Sequence, residues 1–228
     1  MQGALCDAAE RVFSAPCDVT GCSRTDSGVH ANEFCATVTY RKKSGIDTTI
    51  PIDKIPIAFS SVLPPDISVF GAEWVSEDFH PRYDVLYKEY EYRIYNKPLP
   101  DPFLFGRCWH YPREIDGAAL EKMKEAAKHF VGKKDFAAYM AAGSDIKDTV
   151  RTVFSADVER EGDVIVFRVS ADGFLYNMVR ILTGTLISVA QGKLEPEDIP
   201  NVPASLDRKK AGATAPPSGL YLNRVVYR

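Results

Sequence analysis

The sequence predicts an α+β protein built on a largely antiparallel sheet. Segments with a helical hydrophobic period and segments with a strand period mix along the 228 residues, without the strict alternation that a parallel sheet requires. Two strand-like stretches, 150–159 and 163–170, are separated only by Arg160-Glu161-Gly162, a connection short enough to impose antiparallel pairing. Hydrophobic residues make up 45% and charged residues 26% of the chain, which excludes a disordered polymer and supplies enough apolar surface for a core.

The first helix is expected over 3–13, where Leu5, Ala8, Ala9 and Val12 recur at spacings of three, four and seven. Stretches 18–23 and 33–40 read as strands flanking a polar, glycine-containing loop, followed by a basic turn at 41–45. A helix over 53–62 stops at Pro64-Pro65, and the β-branched and aromatic run 67–75 reads as a strand. In 88–95, Tyr90, Tyr92 and Ile94 fall on one side and Glu91, Arg93 and Tyr95 on the other, as in a strand between two unlike environments. Asp116 caps a helix over 116–131 whose stripe is Leu120, Met123, Ala127 and Phe130, and Gly132 ends it. The longest helix, 175–191, turns Leu175, Met178, Val179, Leu182, Leu186 and Val189 toward a core. The proline-rich 194–217 is partly irregular, and 220–227 is a final strand. A boundary at Glu77-Asp78 divides the chain into lobes 1–78 and 79–228, the first carrying the polar loop.

No apolar run reaches the roughly 20 residues of a membrane helix, and the first residues lack the basic and apolar regions of a signal peptide. Five cysteines (6, 17, 22, 35 and 108) form no CxxC pair, and the odd number suits a reducing compartment, so a soluble cytoplasmic protein is expected. The net charge of −3 excludes binding of nucleic acid by bulk charge alone, yet leaves room for a local basic groove. Lys42-Lys43, Lys133-Lys134 and Arg208-Lys209-Lys210 are candidate patches for one.

One stretch departs from core-building logic. Residues 21–31, Gly21-Cys22-Ser23-Arg24-Thr25-Asp26-Ser27-Gly28-Val29-His30-Ala31, fit neither hydrophobic period. Asp26 either bonds the backbone of its own turn or stands as a carboxylate beside Arg24 on a functional loop. At i and i+2, Arg24 and Asp26 share a face of an extended segment, so pairing between them would keep the carboxylate ionised.

The loop and later segments resemble the TruA family of tRNA pseudouridine synthases. Ser23-Arg24-Thr25-Asp26-Ser27-Gly28-Val29-His30 is similar to that family's G-R-T-D-x-G-V-H, with Ser in place of the leading glycine. Leu63-Pro64-Pro65-Asp66-Ile67, Phe79-His80-Pro81-Arg82, Lys88-Glu89-Tyr90-Glu91-Tyr92, Thr149-Val150-Arg151-Thr152, Met178-Val179-Arg180 and Ala215-Pro216-Pro217-Ser218-Gly219-Leu220 follow in the family's order.

The resemblance implies two ferredoxin-like lobes sharing an antiparallel sheet, a homodimer, no metal or cofactor, and isomerisation of uridine in the tRNA anticodon stem-loop. It implies that Asp26 is the essential aspartate, that Arg180 pairs with it, and that Tyr90 packs on the target base. Arg24 would fill the space of a flipped base, with a structural pair to Asp26 as the other reading. Arg82 and Arg151 would contact phosphate, while His30 shapes the turn and stands outside catalysis. The family's opening strand, Y-D-G-x-x-Y-x-G-W-Q, has no counterpart here, so a shared sheet lacking that strand is expected. A catalytically impaired RNA-binding module with the same cleft is the alternative, and a hydrolase would need a second carboxylate nearby that the loop does not offer.

Overall fold

The computed structural model describes residues 1–42 and 45–228. In chain order its strands are β1 (Cys17–Gly21), β2 (His30–Ala31), β3 (Ala36–Tyr40), β4 (Val85–Tyr95), β5 (Trp109–His110), β6 (Gly132–Asp135), β7 (Val150–Glu161), β8 (Val164–Ala171) and β9 (Leu220–Tyr227). Its helices are α1 (Gln2–Phe13), α2 (Ile55–Ser60), α3 (Gly117–Lys128), α4 (Met178–Ala190) and α5 (Asn201–Ser205). The chain forms two interleaved units, one of 1–24 and 34–85, the other of 25–33 and 86–228.

The first unit is the sequence α1-β1-β3-α2. The stripe of α1 buries Leu5, Ala8 and Ala9 in one cluster with Cys17 and Val19 of β1 and Ile55 and Phe59 of α2. Antiparallel pairing sets Val19 opposite Val38 and Gly21 opposite Ala36. The expected helix over 53–62 is a 3-10 turn at Ile52–Lys54 that continues into the short α2. Stretch 67–75 forms no strand: Phe70, Trp74 and Val75 are exposed, while Ile67 and Val69 pack against the α1 cluster. β-type residues make a strand only where a ladder partner exists, and this stretch is held instead by side-chain packing and by isolated hydrogen bonds such as Ile67 N to Pro64 O.

The second unit carries a seven-stranded sheet in the order β2-β9-β4-β8-β7-β6, with β5 on β4. The run β4-α3-β7-β8-α4-β9 has the ferredoxin-like βαββαβ order, and its long strands lie in the spatial order β9-β4-β8-β7. β4–β8, β7–β8 and β6–β7 are antiparallel, whereas the parallel pairs β2–β9 and β4–β5 are two residues long. The sheet is therefore mostly antiparallel, as expected. The described strands nonetheless make two sheets rather than one continuous sheet, since β1 and β3 pair with each other as a separate ribbon.

The two faces of β4 differ as the alternation requires. Tyr90, Tyr92 and Ile94 are buried opposite Val169, Phe167 and Ile165 of β8, and Phe130 after α3 meets Phe167 edge-on at 6.3 Å. On the other face Glu91, only 6% exposed, accepts from Arg93 Nε at 2.5 Å and Arg168 Nε at 3.0 Å. Arg168 also reaches Glu159 and Glu161, and the Arg93 guanidinium lies 4.2 Å from the Tyr221 ring centre. A carboxylate desolvated on a sheet face is tolerable because both oxygens are paired.

α3 begins with the Asp116 carboxylate accepting from Ala119 N at 2.8 Å, and Gly132 at φ +108 releases the chain into β6. β6 was hidden in the sequence because its Lys133-Lys134 reads as a charge patch. Lys134 donates instead to the carbonyls of His129 and Val131 at the end of α3, and burial lowers its pKa. Arg208 is likewise occupied, donating to Ala211 O, Gly212 O and Thr214 Oγ1. Lys43 lies outside the described residues.

Candidate active site

Loop 25–33 belongs to the second unit and is anchored there at several points. His30 and Ala31 pair with Tyr221 and Leu222 of β9, and Asn32 N donates to Leu222 O at 2.8 Å. His30 stacks on Tyr221 with centroids 4.6 Å apart and donates Nε2–H to Gly106 O at 2.7 Å. It shapes the turn, as expected. Gly28 adopts φ +82 beside Pro217, where a Cβ would come within 3.2 Å of the proline ring.

Asp26 Oδ2 accepts from Arg180 Nη1 at 3.1 Å, a contact between residues 154 positions apart. Among the described residues no backbone N–H of the turn bonds the Asp26 side chain. The ordinary-turn use of this carboxylate is thus absent. The two partners differ in burial: the Arg180 side chain is 15% exposed and that of Asp26 39%. Arg180 is fixed from behind, donating Nε–H to Ala215 O at 2.7 Å and a second Nη1 proton to Asn177 Oδ1 at 2.8 Å. A held cation presents itself to a carboxylate that stays open to solvent.

The segment supplying Ala215 approaches α4 at glycines. A Cβ on Gly184 would sit 1.7 Å from Ala213 O, and one on Gly212 would sit 2.3 Å from Gly184 C. Gly212 N donates to Thr185 Oγ1 at 2.8 Å in the same seam. The next carbonyl along, Pro216 O, accepts from the Tyr92 hydroxyl at 2.6 Å. Burial drives the Tyr92 pKa up against the opposing pull of the Arg180 charge, so the phenol stays a donor.

Tyr90 is buried on β4 opposite Val169, and its ring meets Phe174 edge-on at 5.0 Å. Arg151 lies over Gly173, the residue before Phe174, and caps the carbonyls of Asp148 and Val150. The ion pair to Asp26 comes from Arg180 rather than from the loop's own Arg24, which is exposed and belongs to the first unit. Arg82 is in the first unit too. Its backbone N donates to His80 Nδ1, and its Nε is buried with no hydrogen-bond partner among the described residues. Asn177 was missed by sequence reasoning. The signal available was an asparagine at the start of a helix, which ordinarily means a cap.

A family model described as tRNA pseudouridine synthase matches residues 126–228. The chain is 42% identical over 229 residues to tRNA pseudouridine synthase A of Thermoanaerobacter sp. strain X514, covering 100% of this chain and 89% of that protein. It is 42% identical over 221 residues to tRNA pseudouridine synthase A 2 of Clostridium perfringens, covering 97% and 87%, and 39% identical over 227 residues to tRNA pseudouridine synthase A of Caldicellulosiruptor saccharolyticus, covering 100% and 89%. By class, then, the fold and these matches are those of a pseudouridine synthase. The chain belongs to the tRNA pseudouridine synthase A, or TruA, family.

Proposed function

We propose that this protein converts uridine to pseudouridine in the anticodon stem-loop of tRNA, with Asp26 attacking the flipped nucleotide. Family membership makes it an isomerase acting on uridine of tRNA. The observation that carries the finer reading is the Asp26–Arg180 pair, a solvent-accessible carboxylate aimed by a largely covered, triply bonded arginine.

A carboxylate oxygen bonds ribose C1′ as the C1′–N1 bond breaks, and the electron pair leaves with uracil. The base turns, its C5 bonds C1′ and displaces Asp26. The proton lost from C5 is balanced by one gained at N1. No net atom is added or removed, so an isomerase needs only positioning and charge stabilisation. Tyr90 is assigned to pack against the target base, the usual way of holding an unstacked nucleotide. Arg24 is assigned to the space that base vacates, and Arg82 and Arg151 to phosphate contacts.

The same reading takes the enzyme as a cytoplasmic homodimer, on the strength of the family resemblance. No helix among the described residues is long and apolar enough to cross a membrane. The test is Asp26→Asn, mapped for pseudouridine in tRNA. Turnover is expected to vanish while tRNA binding stays within a few-fold; pseudouridine formed by that variant removes the assignment. A parent protein that binds tRNA and forms none is the RNA-binding module instead.

A further inference from the structure

We infer that Asn177 is a positioning residue, which acts on the reaction by fixing the Arg180 guanidinium that holds Asp26. The inference rests on the Asp26 reading above. Asn177 stands at the N-cap of α4, where asparagine ordinarily spends its side chain on an N–H of the first helical turn. Here it makes no such cap bond. Its backbone is left-handed, at φ 59 and ψ 12, and its Oδ1 accepts from Arg180 Nη1 at 2.8 Å. Because arginine only donates, the oxygen of the carboxamide has to face it, and the orientation of the amide is fixed.

The geometry makes this bond consequential. Nη1 carries two protons; one goes to Asn177 and the other to Asp26. Ala215 O fixes Nε from a different segment, so Nε and Nη1 are pinned separately and the guanidinium plane cannot swing about Cδ–Nε. Without Oδ1 the Nη1 end has only the exposed carboxylate to define it. A helix start that gives up its own cap to hold an arginine departs from local stability rules in the way functional sites do.

Two variants separate the side chain from the backbone. Asn177→Gly accepts φ 59 without strain and loses the oxygen; Asn177→Asp keeps an acceptor and tolerates the same conformation. Single-turnover and steady-state kinetics on tRNA are run at least 15 °C below each variant's melting midpoint, about four times the shift expected per kcal/mol. Asn177→Gly is expected to lower kcat about tenfold or more, leaving KM for tRNA within about twofold, because the lost interaction belongs to the reacting centre. Asn177→Asp is expected to stay within about threefold of the parent kcat, since the acceptor is retained. A parental kcat in Asn177→Gly, or equal losses in both variants, overturns the inference. Asp26→Asn run in parallel distinguishes failures: an active Asp26→Asn defeats the mechanism itself, whereas an inactive one beside an unaffected Asn177→Gly defeats only the role of Asn177.

Discussion

Gly184→Ala is the sharpest structural test of how the site is built. The new methyl carbon would lie 1.7 Å from Ala213 O and so cannot be accommodated by a side-chain adjustment; backbone has to move. Bringing that contact to ordinary separation opens the seam between α4 and 212–216 by roughly 1.5 Å or more. Overpacking of this kind costs about 1–3 kcal/mol, and loss of the Gly212–Thr185 hydrogen bond adds about 1 kcal/mol. Alanine's better helix propensity returns about 1 kcal/mol, leaving a net loss of about 1–3 kcal/mol. In a chain of this size that lowers the melting midpoint by about 2–12 °C.

The assay is urea unfolding followed by fluorescence in a Trp74→Phe background, so that Trp109 reports on the second unit alone. Activity is read in parallel, because the displaced segment carries the carbonyls that hold Arg180 and Tyr92. Gly117→Ala, where the added carbon meets nothing within 4 Å, is the control and should be neutral or slightly stabilising. A Gly184→Ala protein within about 0.5 kcal/mol of the parent would refute the reasoning, since it would mean the seam is loose.

Glu91→Gln keeps shape but removes the charge and sets amide protons against one of the two guanidinium groups. With Arg93 and Arg168 each about a third exposed, the loss is expected at about 2 kcal/mol, below the range for a fully buried pair, and the same urea titration measures it. Arg151→Ala is expected to weaken tRNA binding uniformly and to lower the slope of log K against log salt by about 1, as removal of one phosphate contact should. A slope equal to that of the parent would leave Arg151 as a cap on Asp148 and Val150 only.

Element by element, the sequence was most informative where a hydrophobic period ran unbroken. The stripes of α1, α3 and α4, the hairpin β7–β8 and the alternation of β4 are all properties of local chain geometry, which side-chain spacing reports directly. The strand proposed for 67–75 failed because pairing is not local: the residues were suited to a ladder and had no partner. β6 failed in the opposite sense, its lysines offering no strand signal while β7 supplied the partner.

The site divides in the same way. The motif around Asp26 pointed to the acidic residue of the proposed reaction, and its glycine and histidine foretold a shaped turn, because those demands are written within a few residues. Which cation serves that carboxylate was not readable from spacing. Arg24 is two positions away, yet Arg180 is the partner, delivered by a helix 154 residues later and aimed by Asn177 and Ala215. By itself the sequence determined the periodic elements, the α+β class and the residues proposed for the chemistry. The tertiary structure decided how strands distant in the chain pair and which donors and acceptors hold each charged group, since hydrogen bonds and ion pairs between distant segments depend on distances that residue spacing does not contain.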